Sequence, residues 1–337
     1  MYQLGVGRGL ERTAAPAPSG CGASIESDLL AEASGRPVIA VHRRGLPRGL
    51  YPVFTFFNHY DDSLKVELSP RYRRVVAGPV LCRPGEGETL FDSARSTLRV
   101  LVDREELTVT WFRYAAGEKG PDPHVHHHHT DAFYVLEGEV ELGLGPGAAE
   151  TVRATPGTFV AAPPEVVHTF RNASGAEAIF LNFHAPSMGF GDMLRARREG
   201  RDEDAERFDQ AEPPADGGRP VADAVVSGPN GAERFDRGDR IITIKSDLPQ
   251  VSALDIAFDP AFVVDPHTHD DHVDSFYVLD GEVDFTVGDG DVRAGPGTWF
   301  SAPPGTRHGF RNPGPARVRI LNVHAPDGGF ARRVRGG

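Results

Sequence analysis

The sequence lacks several residues and patterns on which common protein chemistry depends. Its 337 residues include only two cysteines and three lysines, which leaves no disulfide framework and few candidates for Schiff-base catalysis. It contains no GxSxG motif, no phosphate-binding P-loop and no Rossmann glycine pattern. No apolar run approaches the roughly 20 residues of a membrane-spanning helix, and the first 20 or so residues lack the apolar core of a signal peptide. We therefore expect a cytoplasmic protein with free thiols at Cys21 and Cys82.

The charge and the turn-forming residues indicate which partners and which kind of secondary structure to expect. The formal net charge is −12 at pH 7, and such an acidic chain argues against nucleic acid or an anionic membrane as the partner. The 39 glycines and 28 prolines favour many turns and short strands over long helices.

A histidine-rich stretch occurs twice. Residues 123–140 read PHVHHHHTDAFYVLEGEV, and residues 266–283 read PHTHDDHVDSFYVLDGEV. His127 and His128 are replaced by aspartates in the second stretch, so the run of four histidines is incidental and the shared spacing HxHxxHxD is informative. The residues present in both stretches are His124 and His267, His126 and His269, His129 and His272, and Asp131 and Asp274.

The repetition extends well beyond the histidines and predicts the domain organisation. TPGTFVAAPPEVVHTFRNASG matches GPGTWFSAPPGTRHGFRNPG downstream, and IFLNFHAP matches ILNVHAP. We predict two domains of ordinary size, at 78–190 and 224–330. A charged, helix-permissive linker (191–223) would join them, and an N-terminal extension of unknown function (1–77) would be partly disordered, with a possible strand at 51–60.

Short alternating apolar runs broken by Gly, Pro or Asp predict an all-β sandwich or barrel in each copy. Residues two apart on a strand point to the same face, so His124 and His126 project together. Asp131 can join them only if the chain turns through 127–129 and a new strand begins. His168 lies on a later strand of the same copy. Imidazoles and a carboxylate converging on one interior indicate a divalent transition-metal site.

Each copy resembles the cupin family, whose first motif contains HxH, an acidic residue and a glycine, and whose second is GxxxxxPxGxxHxxxN. Gly138 and Gly281 close the first motif, and Asn172 and Asn312 close the second. The resemblance implies two tandem double-stranded β-helix (jelly-roll) barrels, with a short helical connector and a divalent metal (Fe, Mn, Ni, Co, Cu or Zn) in each. The implied metal ligands are His124, His126, Asp131 and His168 in the first copy and His267, His269, Asp274 and His308 in the second.

Two departures from the family motifs leave alternatives open. The family usually has Glu where Asp131 and Asp274 stand, and the shorter side chain reaches about one C–C bond less, so coordination could be weak or through water. His129 and His272 could therefore be alternative ligands, hydrogen-bond partners of a ligand, or catalytic acids or bases. Glu165 replaces the glycine of the second motif, so the turn there could differ. His184 and His324 are interpreted as strand-end hydrogen-bonding residues rather than ligands.

The ligand set and the resemblance lead to a functional expectation. We expect a metal-binding bicupin that resembles quercetinase-type dioxygenases and acts on a small enolisable or flavonol-like substrate. The alternatives are an isomerase or epimerase of a small carbonyl or sugar, and a non-catalytic ligand-binding or storage protein. A homodimer formed through cupin strands is a further expectation. The apolar residues expected to line the pocket are Phe133, Val135, Phe159 and Phe170 in the first copy, with Phe276, Val278, Trp299 and Phe310 in the second.

The repeat generates a test that separates the histidines of the first stretch. We expect His127→Ala and His128→Ala to leave the metal content at one ion per ligand set, because the second copy has aspartates there. His124→Ala or His126→Ala should empty the first set, since each removes a ligand. Metal analysis of tag-free protein by mass spectrometry measures this. Equal losses from all four substitutions would show that the run, not the spacing, binds the metal.

Overall fold

The computed structural model describes residues 78–201, 203–231 and 233–336. The N-terminal extension (1–77), including the strand proposed for 51–60, lies outside these residues.

The first copy of the repeat is almost entirely β-structure. Its strands are β1 (Val80–Cys82), β2 (Glu88–Asp92), β3 (Ser96–Asp103), β4 (Thr108–Tyr114), β5 (Thr130–Glu137), β6 (Val140–Leu144), β7 (Glu150–Ala154), β8 (Phe159–Ala162), β9 (His168–Arg171) and β10 (Ala178–Ala185). A connector follows, with helix α1 (Phe190–Arg198) and 3-10 turns at Ala205–Phe208 and Val221–Asp223. A further 3-10 turn, Pro146–Ala148, lies between β6 and β7.

The second copy repeats this order with one additional strand, β15. Its strands are β11 (Val225–Ser227), β12 (Glu233–Asp236), β13 (Arg240–Asp247), β14 (Ser252–Phe258), β15 (Val263–His267), β16 (Val273–Asp280), β17 (Val283–Val287), β18 (Gly290–Ala294), β19 (Trp299–Ala302), β20 (His308–Arg311) and β21 (Val318–Ala325). Helix α2 (Phe330–Arg335) ends it. Among the described residues, no helix is both long and apolar enough to cross a bilayer.

Each copy is built from one large and one small antiparallel sheet. The large sheets have seven strands each, in the orders β11-β8-β5-β10-β4-β3-β2 and β1-β19-β16-β21-β14-β13-β12. The small sheets are β7-β6-β9 and β15-β20-β17-β18. The expected all-β architecture, repeated in two copies with a short helical connector between them, is confirmed.

The two copies exchange strands. β1 of the first copy pairs with β19 of the second, with Val80 opposite Ser301. β11 of the second copy pairs with β8 of the first, with Val225 opposite Ala161. Each large sheet therefore contains one strand from the other copy.

Both faces of the large sheets are buried. On β5, Phe133 and Val135 belong to the apolar cluster inside the first barrel. The alternate residues Ala132 and Tyr134 belong to a cluster shared by the two large sheets, which also contains Trp299. Because successive side chains of a strand point to opposite faces, burial on both sides accounts for the nearly continuous apolar run in this strand.

Two turn positions of the repeat depend on the left-handed conformation. Gly138 has φ 71°, and a Cβ there would lie 2.2 Å from the Glu177 carbonyl oxygen, so only glycine fits. Glu165 takes φ 72° where Gly305 has φ 77°. The turn is thus the same in both copies, and Glu165 tolerates it without being glycine.

Cys82 is buried in the cluster shared by the two large sheets. The expectation for Cys21 lies outside the described residues.

The shared cluster between the sheets predicts a large stability effect. Trp299 is fully buried there and packs against Phe183 with ring centroids 6.1 Å apart. We expect Trp299→Ala to lower the free energy of unfolding by about 3–5 kcal/mol, measured by denaturant titration, because it leaves a cavity. The control Val263→Ala, at a residue that is 55% exposed, should change it by no more than about 0.5 kcal/mol. Equal effects of the two substitutions would contradict the role of the shared cluster.

Candidate metal centres

Backbone pairing assembles the first centre. His124 and His126 precede β5, which carries Asp131, and His168 begins β9. The backbone N–H of His124 donates to the carbonyl of His168 at 3.1 Å, and the N–H of His168 donates back at 2.9 Å. The donor atoms of all four residues lie within 4.8 Å of one another, and all four are buried. The turn through 127–129 that the sequence requires is present.

Backbone carbonyls fix the orientation of the three imidazoles. Nδ1 of His124 lies 2.9 Å from the Asp122 oxygen, and Nδ1 of His168 lies 3.0 Å from the Val166 oxygen. Nδ1 of His126 lies 2.5 Å from the carbonyl oxygen of Asp209. A carbonyl only accepts, so each Nδ1 carries the proton and each Nε2 presents a lone pair.

The Asp131 carboxylate completes this set. Its Oδ2 lies 3.1 Å from Nε2 of His168 and 4.0 Å from Nε2 of His126. The amide of Asn182 donates to Oδ1 and also to the Ala132 carbonyl, at 3.1 Å. The shorter aspartate therefore reaches the imidazole ring atoms directly, and its second oxygen is held in place.

The electrostatics suit a cation. Burial lowers the pKa of His124 to about 3 and holds that of His126 well below its ordinary value. Burial acts to raise the pKa of Asp131, but the neighbouring histidines, His184 foremost, lower it to about 2. At neutral pH the imidazoles of His124 and His126 are therefore neutral and the Asp131 carboxylate is ionised, as metal binding requires. Nε2 of His126 is buried with no hydrogen-bond partner in the described residues, which fits the role of a metal ligand.

The second centre repeats the arrangement. His267 and His308 turn Nδ1 to the carbonyls of Asp265 and Thr306, each at 2.8 Å. Asp274 Oδ2 lies 3.1 Å from Nε2 of His308 and 3.5 Å from Nε2 of His269. Burial acts to lower the pKa of His308, but the Asp274 carboxylate outweighs it and the pKa ends above its ordinary value. The amide of Asn322 donates to Oδ1 of Asp274 at 2.6 Å.

Two further histidines border each set. His184 lies directly opposite Asp131 in the β10–β5 register, as His324 lies opposite Asp274. Nε2 of His184 is 3.6 Å from Asp131 Oδ1, and Nδ1 of His184 is 2.8 Å from Nε2 of His129. His184 is thus a hydrogen-bonding residue, as interpreted from the sequence, but it faces the centre.

His129 and His272 occupy corresponding places. Nε2 of His129 meets His184, whereas Nε2 of His272 is buried without a partner in the described residues. His126, His129 and His184 form a second possible metal-holding group, which shares His126 with the main set. The geometry of His129 is therefore compatible with three roles: a metal ligand, a hydrogen-bond partner of a ligand, and a catalytic acid or base.

The remaining histidines of the run lie outside the centre. His127 and His128 are exposed, and Nδ1 of His127 meets the Glu165 carboxylate at 2.8 Å.

The predicted aromatic lining needs one correction. Phe133, Val135 and Phe170 lie in the cluster inside the first barrel. Phe159 and Trp299 instead lie in the cluster shared by the two large sheets, because they point to the opposite face of β8 and β19. They line no metal centre. The other three second-copy residues, Phe276, Val278 and Phe310, lie inside the second barrel.

Sequence reasoning missed three residues of these centres. Asn182 and Asn322 hold the aspartates, and their repetition in LNFHAP and LNVHAP could have revealed them. Asp209, from the connector, contacts His126 and His129 and has no counterpart in the repeat pattern. No sequence signal pointed to it.

Comparisons with known proteins agree with this architecture. The family model for the cupin domain matches residues 110–184 and 255–324. A comparison with curated protein sequences gave no match.

Three solved structures illustrate the similarity in fold. A putative glyoxylate-induced protein from Pseudomonas aeruginosa is 17% identical, with 75% of this chain and 90% of that chain covered and a TM-score of 0.54. YlbA from E. coli is 12% identical, with coverage of 76% and 95% and a TM-score of 0.54. A Lactobacillus farciminis oxalate decarboxylase in complex with formate is 11% identical, with coverage of 73% and 86% and a TM-score of 0.50. At these identities the similarity concerns the fold.

The two asparagines yield a paired test. Removing the amide that holds a ligating carboxylate should weaken metal affinity by about 10–100-fold. We expect Asn182→Ala to affect only the first centre and Asn322→Ala only the second, measured by calorimetric titration of metal-free protein. The exposed Asn230→Ala is the control and should leave both affinities unchanged. Unchanged affinities in all three variants would show that the amides do not position the carboxylates for metal.

Proposed function

Because the chain carries two cupin domains, each with three imidazoles and one carboxylate facing one point, we propose that it is a metal-dependent enzyme with one divalent transition ion per domain. We further propose that it is a dioxygenase acting on a small enolisable or flavonol-like substrate. The observation that carries the proposal is the convergence of His124, His126, His168 and Asp131, repeated in the second copy. Four protein donors leave positions open on a six-coordinate ion.

A bound redox-active ion would supply Lewis acidity towards a substrate oxygen and a means of engaging O2. The protein's own contribution is preorganisation. The Nδ1–H donors keep three imidazole lone pairs directed inwards, and Asn182 keeps one oxygen of Asp131 from turning away. Phe133 and Phe170, whose rings lie 4.9 Å apart, give the first barrel an apolar interior that excludes water. Phe276 and Phe310, with ring centroids 5.3 Å apart, do the same in the second barrel.

One observation favours a second candidate function. His129 and His184 are linked by a 2.8 Å contact between ring nitrogens, and His184 reaches Asp131. His129 Nδ1 faces the Asp209 carboxylate at 2.7 Å and so carries a proton. Such a pair beside a Lewis-acid site could move a proton between two carbon atoms of a substrate, as an isomerase or epimerase requires.

Oxygen consumption distinguishes the two functions. We expect protein loaded with Fe, Ni or Mn to take up O2 with at least one member of a panel of flavonols and 1,3-dicarbonyl compounds, measured with an oxygen electrode. The double variant His168→Ala/His308→Ala should show no uptake above the metal-free protein, because each domain then lacks a ligand.

The contrary outcome is equally specific. No uptake across the panel, together with isomerisation of a sugar or hydroxy-ketone by the same preparation, would replace the dioxygenase by the isomerase.

A further inference from the structure

The two centres differ in what covers them. In the first copy, Val125 lies between the two histidines of the HxH motif and is fully buried, because it forms a two-way backbone bridge with Ala211 of the connector at 3.0 Å. In the second copy the corresponding residue is Thr268, which is exposed. The connector therefore lies across the first centre at the point where the second faces solvent.

The exposure of the ligands follows this difference. The side chain of His126 is 3% exposed, whereas that of the corresponding His269 is 20% exposed. His124 is buried, and its counterpart His267 is half-buried. Asp131 and Asp274 are buried alike, so the contrast is confined to the HxH side of each centre.

Asp209 fastens the connector to the first centre. Its carboxylate accepts hydrogen bonds from three consecutive backbone N–H groups, those of His127, His128 and His129, at 3.0, 2.8 and 3.2 Å. It also accepts from Nδ1 of His129 at 2.7 Å. Its carbonyl oxygen accepts from Nδ1 of the ligand residue His126.

This contact is made by a buried carboxylate that the hydrogen bonds keep ionised. The Asp209 side chain is 3% exposed, and burial acts to raise its pKa, but the hydrogen bonds from His129 and the backbone N–H groups lower it below the ordinary value. In the second copy, Nδ1 of His272 meets Asp271 instead, whose side chain is 85% exposed. Asp271 belongs to the local loop and, within the part of the chain that the structure describes, ties no covering segment to the centre.

We propose that the second centre is the one that admits substrate. The connector, held in place by Asp209, encloses the first centre, so the ion of the first centre exchanges slowly and stabilises the fold. This inference rests on the proposed metal-binding function. Asp209 is a positioning residue in this scheme, since it acts through His126 and His129.

The test isolates each centre in the full chain. His168→Ala leaves only the second centre intact, and His308→Ala leaves only the first. Each variant is loaded with Co²⁺, and two quantities are measured: the rate of cobalt loss to EDTA and the change in the visible absorption spectrum on adding azide. We expect cobalt to leave the second centre at least about tenfold faster than the first, and azide to perturb only the second, because an enclosed ion cannot exchange its ligands.

The contribution of Asp209 is tested in the His308→Ala background. Asp209→Ala should raise the rate of cobalt loss towards that of the second centre and make the first centre sensitive to azide. Asp209→Asn keeps the size of the side chain and should give a smaller increase, which covers the case in which the alanine variant fails to fold. Glu206→Ala, at an exposed residue of the same connector, is the matched control and should leave the rate unchanged.

The outcomes separate the two proposals. If neither single-centre variant binds cobalt, the proposed metal-dependent function fails. If both bind but release cobalt at equal rates, or if azide reaches the first centre as readily as the second, the function stands and the inference of an enclosed first centre is overturned.

Discussion

The structure depends on one constraint: the large sheets bury both of their faces. One face closes a barrel, and the other packs against the large sheet of the other copy. On β5 this places Phe133 and Asp131 in the barrel, and Tyr134 between the sheets. The carboxylate of the candidate metal centre is therefore carried by a rigid strand whose register apolar packing fixes from both sides.

That constraint explains which parts of the fold could be predicted. The repeated motifs were sufficient to identify two cupin domains and to select the eight residues that the structure brings into two clusters. Strand parity also placed Phe133 and Asp131 on one face correctly. Parity could not assign Phe159 and Trp299, because a strand buried on both sides has no polar face to indicate which direction is inward.

The rest of the site was beyond the reach of sequence reasoning for a different reason. Asp209 lies 80 positions from His129 and comes from the connector, where no repeat exists to mark it. Its contacts depend on a long-range fold of the connector across the first barrel. The position of His184 opposite Asp131 follows from the register of β10 against β5, and that register could not be predicted from the sequence.

The exchange of β1 and β11 between the large sheets determines whether one copy can exist without the other. A single copy cut at its repeat boundary would lose the partner of β8 or β19 and expose a row of unpaired N–H and C=O groups along an open sheet edge. Such edges recruit strands from other molecules and promote aggregation. Because both copies lie on one chain, each exposed sheet edge is always paired with a strand of the other copy. The two barrels therefore fold as one unit.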